Sequence, residues 1–450
     1  MSVDALAQQL RLSDVISALT YALDITEGQP PGHALRSCLI GMRIAEGLEL
    51  DDDSRSSLFY ALLLKDAGCS SNAAKICKLF GGDDLRLKQG AKTVDWTSFS
   101  ENLIWAVRNV APKGSPLARA ATIVRLGLQQ GTAKEIFETR CERGADIARE
   151  LGFSEPTAAA IRTLDEHWDG RGQPQGLSGA EIPLLGRILC LAQTVEVFAA
   201  ANGHAAAYEM ARGRRGAWFD PDLVHALESF EGDDEFWARL SAEDVAALVS
   251  ELEPPDRIQL VDDDALDRIA GAFARVIDAK SPFTAMHSER VAEIAVAVGA
   301  LLELTPEALR RLRHAGLLHD IGKLGVSNLI LDKPGHLTAG ERVDIDRHPA
   351  YTREFLARVT PFRGLADDAA AHHEKLDGSG YPLGLRGDEL TPTARILVVA
   401  DIFEAMTAAR PYRGPLPAEV ALRELEAAAG TKLDDRCVAA VRELVHAGFA

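Results

Sequence analysis

Apolar residues recur at i, i+3, i+4 and i+7 along most of the chain, the period of a helix that turns one stripe toward a core. The stretches 267–279, 288–302 and 306–318 carry this pattern, whereas strand-like alternation is almost absent. Thr305-Pro306 reads as a helix start with proline in the first turn, and Thr338-Ala339-Gly340-Glu341 reads as a capping box. The glycine-rich runs 169–179 and 377–387 read as ordered turns between helices. The pattern predicts an all-α chain.

The pattern also occurs twice. Asp320 follows Asp66 by 254 residues and His287 follows His33 by the same 254, while Asp377 follows Asp169, and Arg395 follows Arg187, by 208. The first copy therefore carries 46 extra residues between its two blocks, roughly 74–125. With these offsets Lys65, Asp66, Cys69, Arg140, Leu164, Asp165 and Gln193 lie under His319, Asp320, Lys323, His348, His372, His373 and Asp401. Two copies imply a duplication and not a solenoid, which needs at least about three stacked units. The expected organisation is a first domain at 1–230, an acidic junction at 231–262 containing Pro254-Pro255, and a second domain at 263–450.

A length of 450 residues, 47% of them hydrophobic and 26% charged, suits two globular domains. The net charge of −18 argues against binding long nucleic acids, which needs a basic face, and leaves room for a small phosphate ligand in a local basic pocket. The longest apolar stretch, 184–201, is interrupted by Arg187, Gln193 and Glu196, so no membrane insertion is expected. Met1-Ser2-Val3-Asp4-Ala5 lacks the features of a secretory leader, and the expected location is cytoplasmic. Six cysteines without C-x-x-C spacing read as reduced, mostly buried thiols.

Eight of the twelve histidines follow position 256, and their placement brings in chemistry. His319-Asp320 offers an imidazole nitrogen and a carboxylate side by side, and His372-His373 is a second adjacent pair. Asp401 sits in the otherwise apolar run 396–403, where a carboxylate needs a metal or an arginine as partner.

The series His287-x-x-Arg290, His319-Asp320-x-x-Lys323, Lys333-Pro334-Gly335, His348-Pro349, His372-His373-Glu374-x-x-Asp377-Gly378-x-Gly380-Tyr381-Pro382, Asp401 and Arg410-Pro411-Tyr412-Arg413 closely resembles the HD-GYP phosphodiesterases. The resemblance spans about 263–450. It implies two tandem HD-type helical domains, of which the second hydrolyses cyclic di-GMP to linear pGpG and onward to GMP with divalent iron or manganese. Carried over, it makes His319, Asp320, His348, His372, His373 and Asp401 metal ligands, with Asp320 bridging. His287 matches a histidine that joins the site in members with a third ion; those members have glutamate four residues earlier, where this chain has Phe283, so two ions are expected. Lys323 matches the lysine that contacts the scissile phosphate and, with Asp320, is expected to be catalytic; Arg290, Arg410 and Arg413 are phosphate contacts or surface salt bridges.

The Gly380-Tyr381-Pro382 loop is either structural or, as the resemblance implies, a docking point for diguanylate cyclase (GGDEF) domains. His314, His336 and His446 have no place in the motif and are expected to be exposed. Cyclic GMP-AMP is the alternative substrate, and a non-catalytic nucleotide-binding or protein-binding scaffold is the alternative class. In the first copy Lys65, Arg140, Leu164 and Gln193 leave no metal shell, so regulation, signal input or homodimerisation is the expected role. All five tryptophans lie outside the second module.

Overall fold

The computed structural model describes residues 10–95, 98–112, 115–128, 131–241, 244–255, 258–409 and 413–449. Among them the regular elements are α- and 3-10 helices, with isolated bridges and no strand. The chain divides into two compact units, Met1–Ala265 and Leu266–Ala450.

In the first unit the long helix Leu184–Asn202 is the central element, packed against His33–Ala45, Asp52–Leu64, Glu155–Arg162 and His204–Gly213. It is long and apolar enough to cross a membrane by length and composition alone. Here Ile188, Leu189, Leu191, Ala192 and Val195 are buried in the unit's core, and its charges are paired: Arg187 Nη1 lies 2.6 Å from Asp220 Oδ2, and Glu196 meets His33 and Arg36. The 46-residue insertion supplies the helices Asp84–Ala91 and Phe99–Asn109 and a small core of its own around Ile76, Leu87, Trp105 and Val110.

The segment 231–262, expected as a junction from its acids and prolines, folds onto the first unit. Helices Asp234–Arg239 and Val245–Glu251 bury Trp237, Val245 and Val249. Glu253, 3% exposed, accepts bonds from Ser13 Oγ at 2.7 Å and Tyr60 Oη at 2.5 Å. Asp233, in the acidic run, caps its helix by accepting from Phe236 N at 2.9 Å. These helices are too short for periodicity to outweigh the charge around them in the sequence.

In the second unit Asp263–Asp278 opens the fold with Ile269, Phe273, Val276 and Ile277 on its buried stripe. His287–Leu301 packs against Pro306–Leu318, Pro392–Thr407 and Asp435–His446. The expected caps are present: Thr305 Oγ1 accepts from Ala308 N, and Thr338 forms a capping box with Glu341. His314 departs from expectation. It is buried, with Nε2 2.5 Å from Asp267 Oδ1, because it sits on the inner face of Pro306–Leu318; His336 and His446 are exposed.

Candidate metal centre

The motif residues of the second unit stand at helix ends that meet. His287 opens His287–Leu301, His319 closes Pro306–Leu318, Asp320 leads into the 3-10 turn Ile321–Gly325, and His348 opens His348–Arg358. His372 and His373 directly follow Ala366–Ala370 with its C-cap Ala371, and Asp401 projects from Pro392–Thr407. The approach of His348–Arg358 to the turn requires glycine at 322: a Cβ there would lie 1.9 Å from the His348 carbonyl oxygen. Thr352 Oγ1 ties the same contact by accepting from Gly322 N at 3.0 Å and donating to His319 O at 2.7 Å.

Three histidines have their tautomers fixed by backbone. The Nδ1 atoms of His319, His348 and His372 lie 2.7, 2.6 and 2.6 Å from the carbonyl oxygens of Gly316, Ile345 and Ala369, each three residues earlier. A carbonyl only accepts, so Nδ1 carries the proton and Nε2 presents a lone pair. These lone pairs converge. His348 Nε2 and His372 Nε2 are 3.1 Å apart and lie 3.4 and 3.6 Å from Asp320 Oδ1. On the other side of the carboxylate, His287 Nε2 and His319 Nε2 are each 3.3 Å from Asp320 Oδ2, and 3.5 and 3.8 Å from Asp401 Oδ1. His373 Nδ1 is 3.7 Å from Asp401 Oδ2.

This arrangement fits cations. Metal–ligand bonds of about 2.0–2.2 Å place neighbouring ligand atoms roughly 3.0–3.6 Å apart, which is the spacing seen around both Asp320 oxygens. His287 Nε2, His319 Nε2 and Asp320 Oδ1 are buried with no hydrogen-bond partner, a costly state that an ion would relieve. Three overlapping groups could each hold an ion: His348, His372 and His373; His287, His319 and Asp401; and His319, Asp320 and His372. His287 thus stands with His319 and Asp401 even though Phe283 replaces the glutamate upstream.

Electrostatics agree with the geometry. Burial and the charge of neighbouring His319 push His372 down to about 4, and burial with Lys323 holds His348 well below the usual range, so both imidazoles stay neutral. Burial alone would raise the Asp320 carboxyl, but His319, Lys323 and His287 hold it well below its ordinary value. Burial would lower His287, yet Asp320 and Glu404 raise it to about 9. A cation held there would displace that proton.

Lys323 Nζ lies 2.5 Å from Asp320 Oδ2 with its side chain 20% exposed, at the open edge of the centre. The arginines expected to contact phosphate or to form surface salt bridges are placed as follows. Arg290 is exposed, Arg413 spends Nη1 and Nη2 on the carbonyls of Met406, Gly414 and Ala405, and Arg410 lies outside the described residues. The Gly380-Tyr381-Pro382 loop touches the centre through Tyr381, whose ring centroid is 4.8 Å from that of His373. Glu374 holds the loop by accepting from the backbone N–H groups of Leu383, Gly384 and Leu385 at 2.7, 3.1 and 3.0 Å.

The first unit has the same frame around different contents. Glu166 accepts from Gln175, Gly176 and Leu177 N, Gly68 packs against the Arg140 carbonyl, and His33 meets Glu196. At the centre Lys65 pairs with Asp66, and Arg140 makes a forked bond to Asp165. The insertion completes the set: Lys92 Nζ lies 3.3 Å from Asp66 Oδ1 and 3.0 Å from Glu27 Oε2, and Lys88 Nζ donates to Cys69 O at 2.6 Å. Glu27, Asp66 and Cys69 are close enough together to ligate an ion, but these four cations already pair with the two carboxylates.

Residues that sequence reasoning passed over include Glu404, buried and bonded to His287, and the insertion lysines. A carboxylate three residues after Asp401 in an apolar helix was the available signal for the first; nothing local marks the second.

The HD domain family model matches residues 122–223 and 271–437. The 3'3'-cGAMP-specific phosphodiesterase 3 of Vibrio cholerae is 46% identical over 97% of this chain and 95% of its own length. The cyclic di-GMP phosphodiesterase response regulator RpfG of Xanthomonas campestris is 39% identical over 38% of this chain and 45% of its own length. A crystal structure of the V. cholerae cyclic GMP-AMP specific phosphodiesterase V-cGAP3 superimposes with a TM-score of 0.66 at 41% identity, covering 97% of this chain and 98% of that one. With the family model matching in both halves and a relative alike along nearly the whole chain, this protein belongs to the HD domain family.

Proposed function

We propose that the second unit hydrolyses a phosphodiester bond of a cyclic dinucleotide, with 3'3'-cGAMP as the preferred substrate. The observation that carries the hydrolytic reading is the convergence of imidazole lone pairs and the Asp401 carboxylate on the two oxygens of a buried Asp320. Divalent ions held there, iron or manganese, would supply a deprotonated water at neutral pH and neutralise charge on phosphate oxygens. His348, His372 and His373 with Asp320 Oδ1 would hold one ion, and His287, His319 and Asp401 with Asp320 Oδ2 the other. The chain's own contribution is positioning. Backbone carbonyls lock three rings, burial excludes water from the ligands, and Lys323 presents an ammonium where negative charge grows on the phosphate.

The motifs alone put cyclic di-GMP first. What shifts the preference is that the relative alike over 97% of this chain is named for 3'3'-cGAMP, while RpfG, named for cyclic di-GMP, is alike over 38%. The first unit is, in this proposal, metal-free and non-catalytic, with Lys65, Lys88, Lys92 and Arg140 standing where ions would, and it serves regulation or assembly.

The test is anaerobically purified protein loaded with manganese or ferrous iron and offered 3'3'-cGAMP, cyclic di-GMP and cyclic di-AMP. The expected result is a linear dinucleotide from 3'3'-cGAMP with kcat/KM roughly tenfold or more above the others. Equal or faster opening of cyclic di-GMP returns the substrate to the motif-based choice. A metal-loaded protein that leaves all three intact gives the site to a receptor.

A further inference from the structure

We infer that Glu404 is a positioning residue: it holds the His287 ring with Nε2 turned into the metal centre, and this makes His287 a ligand without the upstream glutamate that Phe283 replaces. The inference rests on the metal-binding reading of the second unit.

Each of His319, His348 and His372 is steered by the carbonyl three residues before it. His287 is not: the carbonyl of Thr284, three residues before it, accepts the backbone N–H of His287 itself at 2.9 Å. Its Nδ1 instead lies 2.5 Å from Glu404 Oε2, a carboxylate only 3% exposed. An ionised carboxylate only accepts, so a proton stays on Nδ1, and Nε2, which faces Asp320 and Asp401 with no hydrogen-bond partner, is the nitrogen whose lone pair a bound ion would take. A carboxylate also makes the imidazole a stronger donor than a carbonyl does.

Glu404 and Asp401 are three residues apart on Pro392–Thr407, so one helical face presents both a ligand and the group that aims another. The first unit holds an internal control. Glu196 meets His33 Nδ1 in the same way and also accepts from Arg36 Nε at 2.6 Å, and Gln193 stands where the second unit has Asp401. There the pair stands beside a centre that Lys65 and Lys92 occupy: His33 Nε2 lies 3.8 Å from Asp66 Oδ2, and both lysines already pair with that carboxylate.

The experiment measures manganese stoichiometry and affinity by elemental analysis and calorimetry on the full chain. Glu404→Ala is expected to weaken one of the two ions about 10- to 100-fold and leave the other bound. His287→Ala is expected to do the same, and the double variant no more than either single one. Glu404→Gln, which keeps the shape, is expected to fall between wild type and Glu404→Ala, and it decides the matter if the alanine variant fails to fold. Glu196→Gln should leave both ions untouched. Wild-type metal affinity in the folded Glu404 variants, or additive losses in the double variant, overturns the inference. Loss of both ions in Asp320→Ala, measured alongside, shows that the metal reading stands whatever Glu404 does; a wild-type chain that binds no divalent ion fails that reading instead.

Discussion

His33 and His287 occupy the same place in the two units, are both buried, and both bond a buried glutamate through Nδ1, yet their proton affinities move in opposite directions. Burial and the nearby Lys65 push His33 down to about 4. His287 rises to about 9 against its burial because Asp320 and Glu404 face it. The ring and its partner are alike, so the difference comes from what surrounds them. One centre is filled with ammonium and guanidinium groups bound to its own carboxylates. The other gathers carboxylates and neutral imidazoles with too little positive charge to balance them, and calls for cations from outside. The carboxylates of the first centre are thus balanced by the chain's own cations, Lys88 and Lys92 of the 74–125 segment among them.

The sharpest way to break this comparison is to remove the shared aspartate from each side. Asp320→Ala and Asp401→Asn should lose bound metal and reduce hydrolysis to background while far-UV helicity persists, with His336→Ala as an unaffected control. Retention of metal in Asp401→Asn would show that the ligand set is drawn wrongly. In the first unit Asp66→Ala should leave metal content and chemistry unchanged but strand Lys65 and Lys92, costing about 3–5 kcal/mol of stability. All five tryptophans precede position 266, so intrinsic fluorescence follows that unit's melt. An unshifted fluorescence transition would mean that the four cations do not depend on Asp66.

Lys323→Ala tests whether a lysine in the second unit does what lysines in the first do not. It should keep both ions and lower kcat about 100- to 1000-fold, as loss of one charge at a transition state does. Metal loss equal to that of Asp320→Ala would make it a structural counter-ion like Lys65. The smallest effect on stability is expected from chelation. Stripping an ion held at about 100 times its Kd removes roughly 2.7 kcal/mol, which moves a melt on the order of 5–10 °C for a unit of this size. The calorimetric transition of the second unit should shift, and the fluorescence transition of the first should not. A shift in both would count against a metal-free first unit.

Much of this was open to reading in the sequence. Helical periodicity needs only neighbours in the chain, so the helices and the caps at Thr305 and Thr338 follow from local pattern. The two-copy spacing can be counted along the chain, and the candidate ligands are those that the resemblance to HD-GYP phosphodiesterases implies. The segment 231–262 was misread because charge and proline are local signals, whereas the burial of Trp237, Val249 and Glu253 depends on partners far away in the chain. His314 was misread for the same reason: Asp267, its partner, is 47 residues away.

What the sequence determined by itself is that one half carries histidines and aspartates at positions where the other carries Lys65, Arg140, Leu164 and Gln193, since side-chain chemistry is fixed by residue type. What only the tertiary structure decided is orientation and neutralisation. His319, His348 and His372 are set by carbonyls three residues before them, but at His287 the nitrogen that keeps its proton depends on Glu404, 117 residues further along the chain. That Lys88 and Lys92 end beside Glu27 and Asp66 depends on where an inserted helix packs. Lone-pair direction and charge balance are properties of groups brought within a few ångströms by folding, and no spacing along the chain encodes them.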